Sequence, residues 1–60
     1  MSGKDVIRKL QNKGWAVVRI RGSHYVLKKE GKSVPIPVHG NKDLGIGLIA
    51  EIEHATGVKL

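Results

Sequence analysis

Three short segments rich in β-branched residues fill the middle of the chain, and a glycine-containing turn separates each from the next. We predict strands over residues 15–21, 24–29 and 33–38. Gly22-Ser23 breaks the first strand from the second, and Glu30-Gly31-Lys32 forms a tight turn before the third. Because connections this short join antiparallel neighbours, the segments predict a three-stranded antiparallel sheet.

The third predicted strand contains two prolines at alternate positions, Pro35 and Pro37. Proline has no backbone N–H and cannot donate to a neighbouring strand at its own position. We therefore expect this strand at an edge of the sheet, where its prolines also discourage further strand pairing.

A helix is predicted on each side of the strands. The first begins with Ser2 as its N-cap and Asp5 at the third helical position, covers about residues 3–13, and ends at Gly14 in a left-handed conformation. Trp15 is then placed to fold back on Leu10. The second helix starts near Leu44 and ends at Gly57. We expect an α+β fold, in the order α-β-β-β-α, with both helices on one face of the sheet and one domain over residues 1–60.

Strand alternation divides the predicted sheet into two faces. We expect the buried face to carry Ala16, Val18, Ile20, Tyr25, Leu27, Val34, Ile36 and Val38. The other face would then carry Val17, Arg19, Arg21, His24, Val26 and Lys28. A slip of one residue in register would exchange the two faces.

The charge of the chain favours a polyanionic partner. The 60 residues carry a formal net charge of +6, and nine of the eleven Lys and Arg residues lie in residues 1–32. Such one-sided charge is typical of nucleic-acid binding, although it also occurs as solubilising surface charge. The chain has no cysteine and no apolar run near the roughly 20 residues of a membrane helix. We expect a soluble cytoplasmic protein without a signal peptide, disulfides or a membrane anchor.

His24 is the candidate for chemistry, because imidazole can accept or donate a proton near neutral pH. It follows Gly22-Ser23 and lies among arginines and lysines that would attract a phosphodiester backbone. A strand histidine that only caps a turn or pairs with a neighbour is the simpler alternative. His39 would assist His24, contact RNA or cap its loop, and His54 reads as a helix-surface residue. The three histidines lack the close spacing of a zinc site.

Several motifs together resemble the HicA toxins of bacterial and archaeal toxin–antitoxin modules. They are Gly14-Trp15, Gly22-Ser23-His24-Tyr25, the segment from Val34 to Leu44, and Ala55-Thr56-Gly57-Val58. Their order spans nearly the whole chain. The last helix departs from the family, whose members often have Gly-Thr and several basic residues there. Here Leu48 follows Gly47, and the helix contains Glu51 and Glu53.

The resemblance implies a double-stranded-RNA-binding-domain-like fold and an endoribonuclease that cleaves mRNA. It makes His24 the catalytic residue and a HicB-type antitoxin the partner, in a complex whose higher-order assembly the sequence leaves open. We expect no cofactor and no metal in the reaction. RNA binding is assigned to the polar and basic residues of the hairpin region, which are Arg19, Arg21, Ser23, Lys28, Lys29 and Lys32.

Two other functions remain open at this point. A non-catalytic double-stranded-RNA-binding module would use the same topology, but it normally has lysines at the start of its last helix. A protein-interaction subunit with an acidic partner would not bind RNA at all. Trp15 and Tyr25 could stack on bases, although a domain this small needs its large side chains in the core. Lys4, Arg8 and Lys13 on the first helix could hold phosphates or form an ordinary solvated face.

Overall fold

A computed structural model describes all 60 residues of the protein and has the predicted order of elements. The elements are α1 (Gly3–Gln11), β1 (Ala16–Arg21), β2 (His24–Lys29), β3 (Lys32–Pro37) and α2 (Ile46–Thr56). The strands form one antiparallel sheet in the order β1-β2-β3. The predicted α+β fold with a three-stranded sheet and two helices is therefore confirmed.

Helix α1 starts with a reciprocal capping box. The Asp5 N–H donates to Ser2 Oγ at 3.3 Å, and the Ser2 N–H donates to Asp5 Oδ2 at 3.1 Å. These bonds satisfy two backbone N–H groups that have no partner within a helix. Hydrogen bonds from the backbone and side chain of Ser2 lower the pKa of Asp5, and the nearby charge of Arg8 lowers it further.

The end of α1 is fixed by Gly14, as predicted. The regular helix stops at Gln11, two residues earlier than expected, and the chain then turns. Gly14 has a φ of 95°; its N–H donates to Gln11 O at 3.1 Å, while the Trp15 N–H donates to Leu10 O at 3.0 Å. This pair of bonds is a Schellman motif, which brings Trp15 back over Leu10 so that both side chains are buried.

Strand β3 lies at an edge of the sheet, which confirms the expectation from its prolines. Pro37 pairs with His24 and Pro35 pairs with Val26. These positions alternate with Ile36, which pairs with Tyr25. The ladder to β2 can therefore form without a hydrogen-bond donor at either proline.

A β-bulge interrupts the pairing of β1 with β2. Val17 pairs with Leu27, but the next pair is Arg19 with Val26. Val18 is thus the extra residue, and 57% of it is exposed. A bulge changes the alternation of side chains at one point, so the residues before it and after it follow different phases.

The bulge makes part of the predicted face assignment wrong. Ala16 and Val18, which we expected inside, are exposed, whereas Val17, which we expected outside, is half-buried and packs against the core. Beyond the bulge the predicted phase is correct. Ile20 pairs with Tyr25 on the core face, although 56% of Ile20 remains exposed.

Both helices pack on the same face of the sheet. Helix α2 starts after Gly45, later than the predicted Leu44, and ends at Gly57, which has a φ of 72°. The largest fully buried side chains belong to α1, β2 and β3. The buried core consists of Val6, Ile7, Leu10, Trp15, Leu27, Val34, Ile36, Val38 and Ile52. Neither helix is long and apolar enough to cross a membrane.

Candidate nucleic-acid interface

The sheet face opposite the helices, here called the outer face, carries His24, Val26 and Lys28 from β2. His24 lies at the first position of the strand, directly opposite Arg21 on β1 and Pro37 on β3. The side chain of His24 is exposed. The outer face therefore presents an imidazole to solvent with a guanidinium on the neighbouring strand.

The turn before His24 is a two-residue hairpin loop. Gly22 is its first residue and has a φ of 57°, while Ser23 has no positive φ. Glycine at this position is the requirement of the II′ turn, whose twist matches that of the paired strands. A side chain at Gly22 would meet no atom within 4 Å, so the surface beside His24 is open.

Ser23 connects this turn to the end of β3. Its carbonyl oxygen accepts a hydrogen bond from the Val38 N–H at 2.6 Å. The residue is half-buried, and this hydrogen bond lies one position beyond the last pair of β2 with β3. Ser23 thus holds together the two chain segments next to His24.

Three of the predicted RNA-binding residues share the outer face with His24. Arg19 pairs with Val26, Arg21 pairs with His24, and Lys28 follows two positions after Val26. Cross-strand partners have Cα atoms about 5 Å apart, and Lys28 lies about 13 Å along β2 from His24. All three are exposed, and the two ion pairs of the structure involve other residues. Their charges are therefore available to an anionic ligand.

Lys29 and Lys32 are not brought together with His24. Lys29 lies on the opposite face from Lys28, and its Nζ donates to Lys13 O at 2.7 Å, beside the end of α1. Lys32 pairs with Lys29 at the far end of the hairpin, about 17 Å along the strand from His24. The basic segment that is continuous in sequence is thus divided between two surfaces.

The two large aromatic residues belong to the core side. Trp15 is buried, and its Nε1–H has no hydrogen-bond partner. Tyr25 is half-buried, packs against the core and alternates with the outer-face residues. Neither is placed to stack on a base lying against the outer face.

The remaining histidines occupy different places. His54 is exposed in the last turn of α2, as predicted. His39 follows β3 and begins a turn in which its carbonyl oxygen accepts from the Lys42 N–H at 3.1 Å. No three histidine, cysteine, aspartate or glutamate side chains group closely enough to hold a metal ion. Lys42 was not among the predicted site residues. The turn that brings its backbone N–H to His39 contains Gly40, a residue typical of turns, which has a φ of 60° here.

The outer face is chemically suited to a phosphodiester. Arginine and lysine can hold phosphate oxygens, and an exposed imidazole beside them can take or give a proton.

The family model for the HicA toxins of bacterial toxin–antitoxin systems matches residues 3–58 of the chain. The chain belongs to the HicA family. This confirms the resemblance that was drawn from the ordered motifs. The protein is therefore a toxin of a toxin–antitoxin module, a class whose members act with an antitoxin partner. No curated protein matches the chain.

Proposed function

We propose that this HicA toxin is an endoribonuclease that cleaves mRNA, with His24 as a catalytic residue. The observation that carries the proposal is the pairing of an exposed His24 with Arg21 on a face whose cations have no acidic partner. Membership of a toxin family supports an activity directed at a cellular component. An exposed imidazole among unpaired cations is suited to a polyanionic substrate that has a proton to transfer. RNA has such a proton on its 2′-hydroxyl.

The proposed reaction is an internal transesterification. The ribose 2′-oxygen attacks the adjacent phosphorus and loses its proton, a new O–P bond forms, and the bond from phosphorus to the 5′-oxygen breaks. The leaving oxygen takes up a proton. The products are a 2′,3′-cyclic phosphate and a free 5′-hydroxyl, so no oxidant, reductant or metal is required for balance. His24 carries one of the two proton transfers.

The cations next to His24 have the role of holding and stabilising the phosphate. Arg21 lies closest, and Arg19 and Lys28 continue the positive surface along the sheet. Negative charge builds up on the phosphate oxygens as the new bond forms, and fixed cations stabilise this charge. Ser23 shapes the turn through its backbone and is exposed enough to meet the ribose-phosphate chain. Lys29 and Lys32 would contact only RNA that continues past the far end of the hairpin.

We propose a HicB-type antitoxin as the partner, and that it covers the outer face. A typical protein interface buries about 800 Å² on each side. The toxin has only 4089 Å² of accessible surface, so such an interface takes roughly a fifth of it. An antitoxin bound over His24 would block RNA directly, and the assembly can extend to a higher-order complex.

Cleavage of RNA by the wild type and by His24→Ala tests the proposed function. Because His24 is exposed, the variant should stay folded, and its cleavage rate should fall by about 100-fold or more. His54→Ala removes an exposed histidine from α2 and serves as the matched control, with an unchanged rate expected. Product ends should be cyclic phosphates, with or without a metal chelator.

A parallel assay with double-stranded RNA distinguishes the proposed enzyme from the alternative, a non-catalytic binding module. Cleavage of single-stranded RNA supports the enzyme. Tight binding of uncut duplex RNA, with no cleavage of either substrate, would support a non-catalytic double-stranded-RNA-binding module and overturn the proposal.

A further inference from the structure

A hydrogen bond one position beyond the last residue of β3 fixes the segment that leads to a second histidine, His39. Val38 is buried on the core side, and its N–H donates to Ser23 O at 2.6 Å. Val38 therefore stands opposite Ser23, one position beyond the pair of Pro37 with His24. The next residue is His39, which follows two positions after Pro37, the cross-strand partner of His24.

This arrangement keeps His39 near His24. The Cα atoms of Pro37 and His24 are about 5 Å apart, and two residues of chain span at most about 7 Å, so the Cα atoms of His39 and His24 lie within about 12 Å of each other. Gly22 has no side chain, and the space beside it is empty to 4 Å. His39 is exposed as well. Both imidazoles are therefore exposed and close enough, given the length of their side chains, to reach one phosphate group.

The turn after His39 holds this residue in place. The His39 carbonyl oxygen accepts from the Lys42 N–H at 3.1 Å, which reverses the chain directly after His39. Asp43, the acidic residue nearest in sequence, is already engaged, because its Oδ1 accepts from the Met1 ammonium at 3.1 Å. The charged residues nearest to the two histidines by strand pairing or in sequence are thus Arg21 on β1, Lys42 in the turn and Asp43, which is already paired.

We infer that His39 is the second proton-transfer group of the cleavage reaction, acting on the opposite side of the phosphate from His24. The inference rests on the proposed ribonuclease function. One imidazole removes the proton of the 2′-hydroxyl as the new O–P bond forms. The other, starting protonated, gives its proton to the 5′-oxygen as the old bond breaks. Proton exchange with water then restores both rings.

A pair of substrates tests the role of His39. The first is a natural ribonucleotide linkage, and the second has a nitrophenolate in place of the 5′-nucleoside. Nitrophenolate leaves without a proton, so loss of the general acid does not slow that substrate. We expect His24→Ala and His39→Ala each to lose about 100-fold or more on the natural linkage. One of the two variants, and only one, should recover most of its rate on the nitrophenyl substrate.

The controls separate a chemical role from a structural one. His39→Gln keeps a polar side chain at the start of the turn and should lose as much activity as His39→Ala. Both variants should unfold thermally within a few degrees of the wild type, and His54→Ala should cleave both substrates at the wild-type rate.

The inference is overturned if His39→Ala cuts the natural linkage at the wild-type rate. It is also overturned if both histidine variants, or neither, recover on the nitrophenyl substrate. A wild-type protein that cuts no RNA, or a His24→Ala variant with full activity, would instead refute the proposed ribonuclease function.

Discussion

The backbone of Gly3 lies directly against the carbonyl oxygen of Pro37, so that any side chain at Gly3 would overlap this oxygen. Gly3 is buried at the start of α1, and Pro37 is the cross-strand partner of His24. This contact connects the first turn of the helix to the strand that supports the candidate site. The absence of a side chain at Gly3 is therefore a condition for the observed packing.

Gly3→Ala should destabilise the protein by about 2 kcal/mol or more, because neither the helix nor the Pro37 backbone can move away without losing other contacts. Gly47→Ala is the matched control. Gly47 lies in the first turn of α2, where an added side chain meets nothing within 4 Å. That variant should be unchanged or more stable by up to about 1 kcal/mol. Urea unfolding of the three proteins measures the difference, and equal stabilities for the two variants would contradict the packing described.

Removing an outer-face arginine should weaken RNA binding in a salt-dependent way. In a His24→Ala background, which prevents cleavage, Arg19→Gln and Arg21→Gln should each reduce the slope of log affinity against log salt by about 0.7. Lys59→Gln removes the same charge from an exposed position in the C-terminal segment and is the control. Titration of fluorescent single-stranded RNA at several salt concentrations gives the slopes. If all three variants behave alike, net charge rather than the outer face determines binding.

Adjacent lysines in β2 should have separable effects. Lys29 Nζ donates to Lys13 O, and we expect Lys29→Ala to lower the free energy of unfolding by about 0.5–1 kcal/mol with little effect on RNA affinity. Lys28→Ala should weaken RNA binding and leave stability nearly unchanged, because Lys28 is exposed and makes no ion pair. Chemical unfolding and RNA titration of both variants test whether one lysine acts on stability and the other on RNA affinity. Equal changes in stability and in affinity for the two variants would contradict this prediction.

The capping box of α1 should make stability depend on acid pH. Hydrogen bonds from Ser2 lower the pKa of Asp5 below its ordinary value of 3.8 in the folded protein. The resulting stabilisation is present above the unfolded-state pKa and is lost as the pH falls through the lowered folded-state pKa. Asp5→Asn should be less stable than the wild type at about pH 6, and the difference should shrink towards about pH 2.

Unfolding curves at several pH values measure this effect. Glu51→Gln, which removes an exposed carboxylate from α2, is the control for loss of one negative charge. A stability gap for Asp5→Asn that stays constant across the acid range would show that the carboxylate is not the group responsible.

Features that depend on short stretches of chain were predictable. The Ser2–Asp5 capping box, the left-handed Gly14, the turn at Gly22 and the edge position of the proline-containing strand all follow from local backbone chemistry. The positions of Arg19, Arg21 and His24 on one face followed from strand alternation, because the pairing of β1 with β2 is regular after the bulge at Val18. The ordered motifs also identified the family.

Other features depended on contacts between segments distant in sequence. The extra residue at Val18 arises from the way β1 fits β2, and alternation within β1 alone could not show that Val17 rather than Ala16 faces the core. The hydrogen bond from Val38 to Ser23 brings the segment before His39 next to the turn that precedes His24. The bond from Lys29 to Lys13 directs that lysine away from the outer face. The amino-acid order thus determined the elements and the residue types at the site, because caps, turns and alternation act over a few residues. Which side chains share a surface was decided by strand register and helix packing, which only the assembled chain defines.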